Sequence, residues 1–360
     1  MKFALVTSFF DANDLIEEPM RDDEEASSWR GPTIREIAEV AGVGPATVDR
    51  VLNNRQGVRE RTRRRVNEAL GKLTSDHGKE ATTLNIRLLC ESGETFNAAM
   101  ASAVEHVNRS VRGATVTGSY VMTSAMEAAT FAASMLGEGA LADGVVVIAR
   151  EHPAFNGAIR RLESIGIPVV CLTTDLPSSR RSAYIGNDQY AAGSVAGQLI
   201  GKAVPKERHR VLLATSVPFR CQQEREMGFR RVLRTEFPHL RIDDRVVSDD
   251  VPGTTFEHIM RYIESNGAPA AVYNVAGANR GIAMALERAG VAQDTTFVGH
   301  ELTQRSKKLL EDGTMDYVIS HDFSAELAAA VRWIGEKRRG IESRPWTSPI
   351  LVHTRYNCEL

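Results

Sequence analysis

The chain has 360 residues, 42% of them apolar and 25% charged, and its formal net charge is -2. That length holds more than one domain, the composition is that of soluble globular proteins, and the charge balance excludes a chain that is basic throughout. A nucleic-acid surface therefore has to be local.

The opening "MKFALVTSFF" is followed at once by Asp11 and Asp14 and offers no small-residue cleavage site, so it does not read as a secretory signal. No apolar run reaches membrane-spanning length. The four cysteines, Cys90, Cys171, Cys221 and Cys358, form no CxxC pair and read as reduced structural thiols. A cytoplasmic location and no membrane partner follow as expectations. Residues 11–30 carry eight acids, Asp11 through Glu25, against Arg21 and Arg30, and residues 1–30 read as an acidic, disordered extension.

From Thr33 the pattern changes. Ile34, Ile37, Ala38 and Ala41 recur at helical spacing behind a threonine that has Glu36 three positions on, the signature of a capping box. Gly42-Val43-Gly44 breaks this helix, and Pro45 opens the next, where its missing N–H costs nothing. A third helix is expected from Glu60 to Leu73, with Thr62, Val66, Ala69, Leu70 and Leu73 inward. Seven arginines fall between residues 50 and 65, a basic patch beside a glycine-turned helix pair. Phosphate neutralisation by such a patch supplies most of the affinity of a helix-turn-helix for DNA.

"TIREIAEVAGVGPATVDRVLNNRQGVRERTRRRV" (Thr33–Val66) resembles, without gaps, the DNA-binding headpiece of the lactose/galactose repressor (LacI/GalR) family. The resemblance implies that Pro45, Ala46 and Arg50 face base edges in the major groove, and that Thr33, Thr47, Asn53, Arg55 and Arg59 contact or position the backbone. Val48, Val51 and Leu52 are expected in the core. Gly44 and Asp49 stand where many relatives carry serine. Asp49 either accepts from cytosine N4 or pairs with Arg50 or Arg55 and fixes the arginine's direction. "TSDHGKEATT" (Thr74–Thr83) reads as a linker, without the P-N pair and leucine that the family's hinge helix contains. The resemblance implies a homodimer on a palindromic operator, with residues 31–73 as its DNA-binding domain.

Beyond the linker, short β-branched runs alternate with helix-length segments: "NIRLLCES", "ATVTGSYVM", "DGVVVIA", "IPVVCLTT", "HRVLLATS", "AAVYNVAG" and "TTFVGHEL". This argues two parallel, doubly wound α/β sheets in tandem. The arrangement resembles the periplasmic-binding-protein type I fold that the same family uses as its effector domain. One lobe is expected at 84–187 and 321–339, the other at 188–320 and 340–360, with a ligand beyond the carboxyl ends of the strands.

Ligand candidates come from those strand-end loops: Phe96, Asp175, Asp188, Arg220, Asn274, Asn279, Glu301 and His321. Phe96 either stacks on a sugar or plugs the lobe, and Asp188 either meets a ligand hydroxyl or caps the next helix. Between Arg220 and Arg225, the arginine nearer the strand is preferred. Carboxylate, amide and guanidinium groups in this mixture suit a sugar, polyol or related metabolite, while His300 and His321 would suit an anionic one. No metal-ligand spacing, dinucleotide fingerprint, phosphate loop or G-x-S-x-G occurs, so no cofactor and no enzyme activity are expected. A solute-binding receptor of a transport system is the competing expectation, but it would not carry residues 33–73.

Overall fold

The computed structural model describes residues 33–52, 58, 60–77, 83–207, 209–243 and 246–359. The acidic extension, Asn53, Arg55, Arg59 and positions 78–82 of the linker lie outside the described residues. The chain divides into two compact units, Met1–Ala81 and Thr82–Leu360.

The first unit contains α1 (Ile34–Ala41), α2 (Pro45–Leu52) and α3 (Glu60–His77). Thr33 and Glu36 form the reciprocal cap: the Glu36 amide donates to the Thr33 hydroxyl at 3.3 Å, and the Thr33 amide donates to the Glu36 carboxylate at 2.7 Å. Gly42 ends α1 at φ 60°, a left-handed conformation that glycine adopts without a Cβ penalty. Ile37, Ala38, Ala41, Val48, Val51, Val66 and Ala69 form the small core. Leu52 departs from expectation: it is 42% exposed, because the helical period that buries Val48 and Val51 turns the next position outward. α3 continues through Thr74–His77, into the stretch read as linker.

In the second unit, the first lobe runs β1 (Leu84–Ser92), α4 (Glu94–Ser110), β2 (Ala114–Met122), α5 (Ala128–Gly139), β3 (Gly144–Ile148), α6 (Pro153–Ser164), β4 (Val169–Leu172) and β5 (Ala183–Ile185). Its strands are parallel in the order β2-β1-β3-β4-β5. β3 is buried at every position, as a strand covered on both faces must be.

The second lobe runs α7 (Gln189–Ala203), β6 (His209–Thr215), α8 (Arg220–Glu236), β7 (Leu240–Ile242), β8 (Val246–Val247), α9 (Pro252–Asn266), β9 (Ala271–Asn274), α10 (Asn279–Arg288), β10 (Thr296–His300), α11 (Gln304–Asp312) and β11 (Tyr317–Ser320). The chain then returns to the first lobe as α12 (Phe323–Arg338), which buries Leu327, Ala330 and Ile334 against Ile86 and Leu88, and ends in β12 (Leu351–His353). The second sheet has the order β12-β11-β10-β9-β6-β7, with β8 also beside β6, and β12 is its antiparallel member. β5, β7, β8 and β12 have two or three residues each, too few to show a period in the sequence.

Candidate functional site

Two surfaces offer function, one in each unit. In the first, α2 turns Val48 and Val51 into the core and leaves Pro45, Ala46 and Arg50 exposed, with Thr47 and Asp49 half-buried. Positions 45, 46, 49 and 50 share the face opposite the core, as their spacing requires. The basic run is not uniform in role. Arg65 donates to the Ala41 and Gly42 carbonyls at 2.5 and 3.2 Å, closing the end of α1. That contact withdraws one of the seven arginines from any partner.

In the second unit a cleft lies at the carboxyl ends of both sheets' strands, where parallel α/β folds place ligands. The first lobe contributes Ser92 and Phe96 around the start of α4, Ile148 after β3, and Thr173 and Thr174 after β4. The second contributes Phe219, Gln222 and Arg225 of the β6–α8 region, Asp250 after β8, Asn279 and Arg280 after β9, and His300, Glu301 and Arg305 after β10. The first lobe's deep wall is therefore apolar and hydroxylic, and the second lobe carries the deep charges.

Arg225 is the centre of that charged wall. It is 1% exposed, donates from Nε to Gln189 at 2.7 Å and from Nη1 to the Val275 carbonyl at 3.0 Å, and leaves Nη2 without a protein partner. Gln189, the first residue of α7, in turn donates to the Thr173 carbonyl after β4 at 2.9 Å, so these two elements fix the guanidinium's direction. Glu301 lies 3.9 Å from Arg225 Nη1. Burial pushes the Glu301 carboxyl above its usual range, and Arg225 opposes the shift. Asp250 accepts from the Gly277 amide at 3.0 Å and is likewise pushed up by burial, against the hydrogen bonds from Ser216 and Gly277. A Cβ on Gly93, across the cleft, would come within 3.2 Å of Asp250 Cβ, so the lobes approach closely there. The Cys221 amide and Thr174 hydroxyl also meet across the cleft, at 3.3 Å.

Backbone strain marks the same place. Among the described residues, five non-glycine positions have positive φ, and four of them, Thr173, Asp250, Ala278 and Glu301, line the cleft. Such conformations cost about 1 to 3 kcal/mol each and persist where surrounding structure holds them, commonly at binding sites.

The structure brings Phe96, Asn279 and Glu301 of the sequence candidates to the cleft wall and holds the others elsewhere. Phe96 stands edge-on to Phe323 at 5.2 Å. Asn279 donates to the His300 carbonyl at 3.0 Å and accepts from Asn274 at 2.6 Å, and Asn274 also ties the Gly277 carbonyl, so this amide pair braces the β9–α10 turn. Asp175 is off the cleft wall in a two-bond pair with Arg181, both at 2.6 Å. Asp188 caps α7 through the Ala191 amide at 2.9 Å, and Arg220 pairs along its own helix with Glu224 at 2.8 Å. His321 is buried against Glu326 at 2.8 Å. His300 reaches the cleft but bonds Tyr273 at 2.8 Å, and burial, reinforced by Arg225, holds its imidazole well below the usual range and hence neutral.

Arg225 takes the place expected for Arg220, because α8 begins at residue 220, and residue 225, five positions on and about 140° round the helix, joins the buried face it shares with Gln222 and Gly228. The sequence signal was this i, i+3 spacing. Asp250 had no comparable signal, since it follows a strand of two residues. Among the described residues no group of side chains is arranged to hold a metal ion, and no helix is long and apolar enough to cross a membrane.

A helix-turn-helix with an exposed outer face, carried in one chain with a two-lobed α/β unit that aims charges into a cleft, defines a ligand-binding protein with an added recognition module. The chain belongs to the periplasmic binding protein domain family, which residues 88–340 match, and its residues 33–74 match the bacterial regulatory proteins of the lacI family. The HTH-type transcriptional regulator TreR of Salmonella typhimurium (strain LT2) is 65% identical over 34 residues, which is 9% of this chain and 11% of that regulator's length. Among solved structures, an ABC transporter solute binding protein from Burkholderia graminis in complex with D-arabinose superposes with a TM-score of 0.71 at 18% identity, over 78% of this chain and 98% of that one. GanP, a glucose-galactose binding protein from Geobacillus stearothermophilus, gives 0.68 at 20% identity over 77% and 99%. A solute binding protein from Bacillus halodurans with bound myo-inositol gives 0.68 at 14% identity over 78% and 97%. At these identities the likeness establishes the two-lobed fold.

Proposed function

We propose that the protein is a ligand-responsive transcriptional regulator, most simply a repressor, which binds operator DNA as a homodimer in the cytoplasm and senses a small polyhydroxylated metabolite in its cleft. The carrying observation is the bare α2 face, with Pro45, Ala46 and Arg50 outward, in the same chain as a cleft holding Arg225 Nη2 without a partner. Arg50 reads a base edge, and the other arginines of the run, Arg65 apart, neutralise phosphates. In the cleft, Arg225 donates to a ligand oxygen, Asp250 and Glu301 accept from hydroxyls, and Phe96 covers an apolar ring face. Of the structural relatives named above, two hold D-arabinose and myo-inositol and the third is a glucose-galactose binding protein, which supports a ligand of the same chemistry here. Ligand binding biases the lobes and so changes DNA affinity by a coupling free energy. A transport receptor would use the second unit alike, and the headpiece is what favours the regulator.

The test is a thermal-shift screen of sugars and polyols on the full chain, followed by DNA binding with and without each hit. A saturating ligand raises stability by about RT ln(1 + [L]/Kd). A hit that alters operator affinity supports the reading, whereas DNA binding that stays flat between low and moderate salt removes the phosphate argument.

A further inference from the structure

A second cavity opens on the second lobe, at the opposite end of its sheet from the cleft. Its walls come from the amino ends of β6 and β7 and the last turns of α8: His209, Arg210, Arg230, Arg234, His239 and Arg241. Leu233 and Leu240, both buried, and Ile242 form an apolar floor, and among the described residues no acid lines it. The cleft lies past the other end of β6, so seven residues of strand at ~3.3 Å each put the two sites about 20 Å apart.

Four arginines and two histidines around one concavity repel one another unless acids answer them. Among the described residues, three acids pair with bases of this cavity: Glu226 lies 2.7 Å from Arg230, Asp243 3.7 Å from Arg210, and Glu207 3.8 Å from His209. Arg210 is further held by the Asn266 carbonyl. Arg234 and Arg241 have no acid within ion-pair distance among the described residues. The Nε2 of His239 is enclosed and has no hydrogen-bond partner, although its ring is wedged edge-on against Phe237 at 6.3 Å. Two unanswered guanidinium forks and a waiting imidazole nitrogen are the donor set of a phosphate group, which guanidinium matches in two-bond geometry.

The shape narrows the ligand further. The cavity volume is about 610 Å³, within the range of small-molecule sites rather than a flat macromolecular surface. We infer that this cavity binds a phosphorylated small organic molecule, with the phosphate on Arg234, Arg241 and His239 and the organic part over Leu233, Leu240 and Ile242. It is a site separate from the cleft, and α8, which carries Gln222 and Arg225 to the cleft and Arg230 and Arg234 to this cavity, is the rigid element the two share.

The experiment is calorimetric titration of the full chain with ribose 5-phosphate, ribose and inorganic phosphate, using the wild type, an Arg234→Gln/Arg241→Gln double variant and a Glu301→Gln cleft variant. Both arginines are exposed, so the double variant keeps its core, and an unchanged melting temperature checks this. The expected result is that ribose 5-phosphate binds wild type and Glu301→Gln alike, at least about tenfold more weakly to the double variant, and more weakly as salt rises. Undiminished binding to the double variant overturns the site. Loss of binding in Glu301→Gln assigns the anion to the cleft and overturns it equally. Inorganic phosphate binding as tightly as ribose 5-phosphate removes the organic ligand and leaves an adventitious anion only.

Discussion

The headpiece and the cleft use burial in opposite senses. In the headpiece the core is apolar and the residues offered to a partner, Pro45, Ala46 and Arg50, are those the helical period leaves outside. In the cleft the residues proposed to meet a ligand are drawn inward: Arg225 is 1% exposed, and Glu301 is half-buried with its carboxyl pushed up by burial. An exposed site can be altered with little effect on folding, whereas an enclosed one is part of the packing, so the same substitution logic gives binding defects in one unit and folding defects in the other.

The largest effect is expected where the cleft depends on close backbone approach. α7 and α8 meet at Gly193 and Gly228, where a Cβ would run into the Arg225 carbonyl and the Tyr190 carbonyl respectively. Both clashes are with backbone, so no side-chain rotation relieves them. Gly228→Val should cost more than about 4 kcal/mol, at the severe end for single substitutions, and abolish the ligand-induced thermal shift by moving Arg225. A melting temperature within a few degrees of wild type would show that the crossing tolerates expansion and that the cleft is less rigidly built than the headpiece comparison implies.

In the headpiece the corresponding change at the offered residue should spare folding. Arg50→Ala should leave the thermal melt unchanged and cost about 1 to 3 kcal/mol of discrimination between operator and mismatched sequence. Competition binding against single-base variants of the operator reads this directly. A uniform loss across all sequences would instead make Arg50 a phosphate contact.

How far the sequence revealed each unit follows from the same contrast. The headpiece was legible nearly residue by residue, because inside and outside alternate with a local period and the cap, turn and proline lie within twenty positions. The two sheets were legible from their alternating runs. The cleft was only partly so, because whether a strand-end polar group faces a ligand depends on whether a neighbour claims it first. Arg181 claims Asp175, the α7 amides claim Asp188, Glu224 claims Arg220 and Glu326 claims His321. The cap at Asp188 and the i, i+4 pairing of Arg220 are local, but nothing in the local sequence decides them against a ligand, and Asp250 arrives from a loop behind a two-residue strand.

The half-buried carboxyls give the cleft a pH response. Asp250 and Glu301 are both raised by burial, so the folded chain holds their protons more tightly than the unfolded chain does. Their contribution to stability is full below the ordinary carboxylate range, and it is lost as pH rises from about 4 through their native values. Asp250→Asn should therefore flatten the fall of melting temperature above that point. A slope identical to wild type would mean that Asp250 is hydrated enough to ionise freely.

The smallest effect tests whether one residue belongs to both sides of the comparison. Thr33 opens α1, and its hydroxyl is engaged by the Glu36 amide at 3.3 Å and by the Glu36 carboxylate at 2.8 Å, yet it is exposed and stands where the family resemblance expects DNA. If capping is its main work, Thr33→Ala should destabilise the headpiece by about 1 kcal/mol and Thr33→Ser should restore it, with the operator's salt dependence unchanged in both. If the hydroxyl instead meets the operator, affinity should fall while the melt stays put. The two outcomes separate because the cap acts on the folded helix before any DNA is present, whereas a contact acts only in the complex.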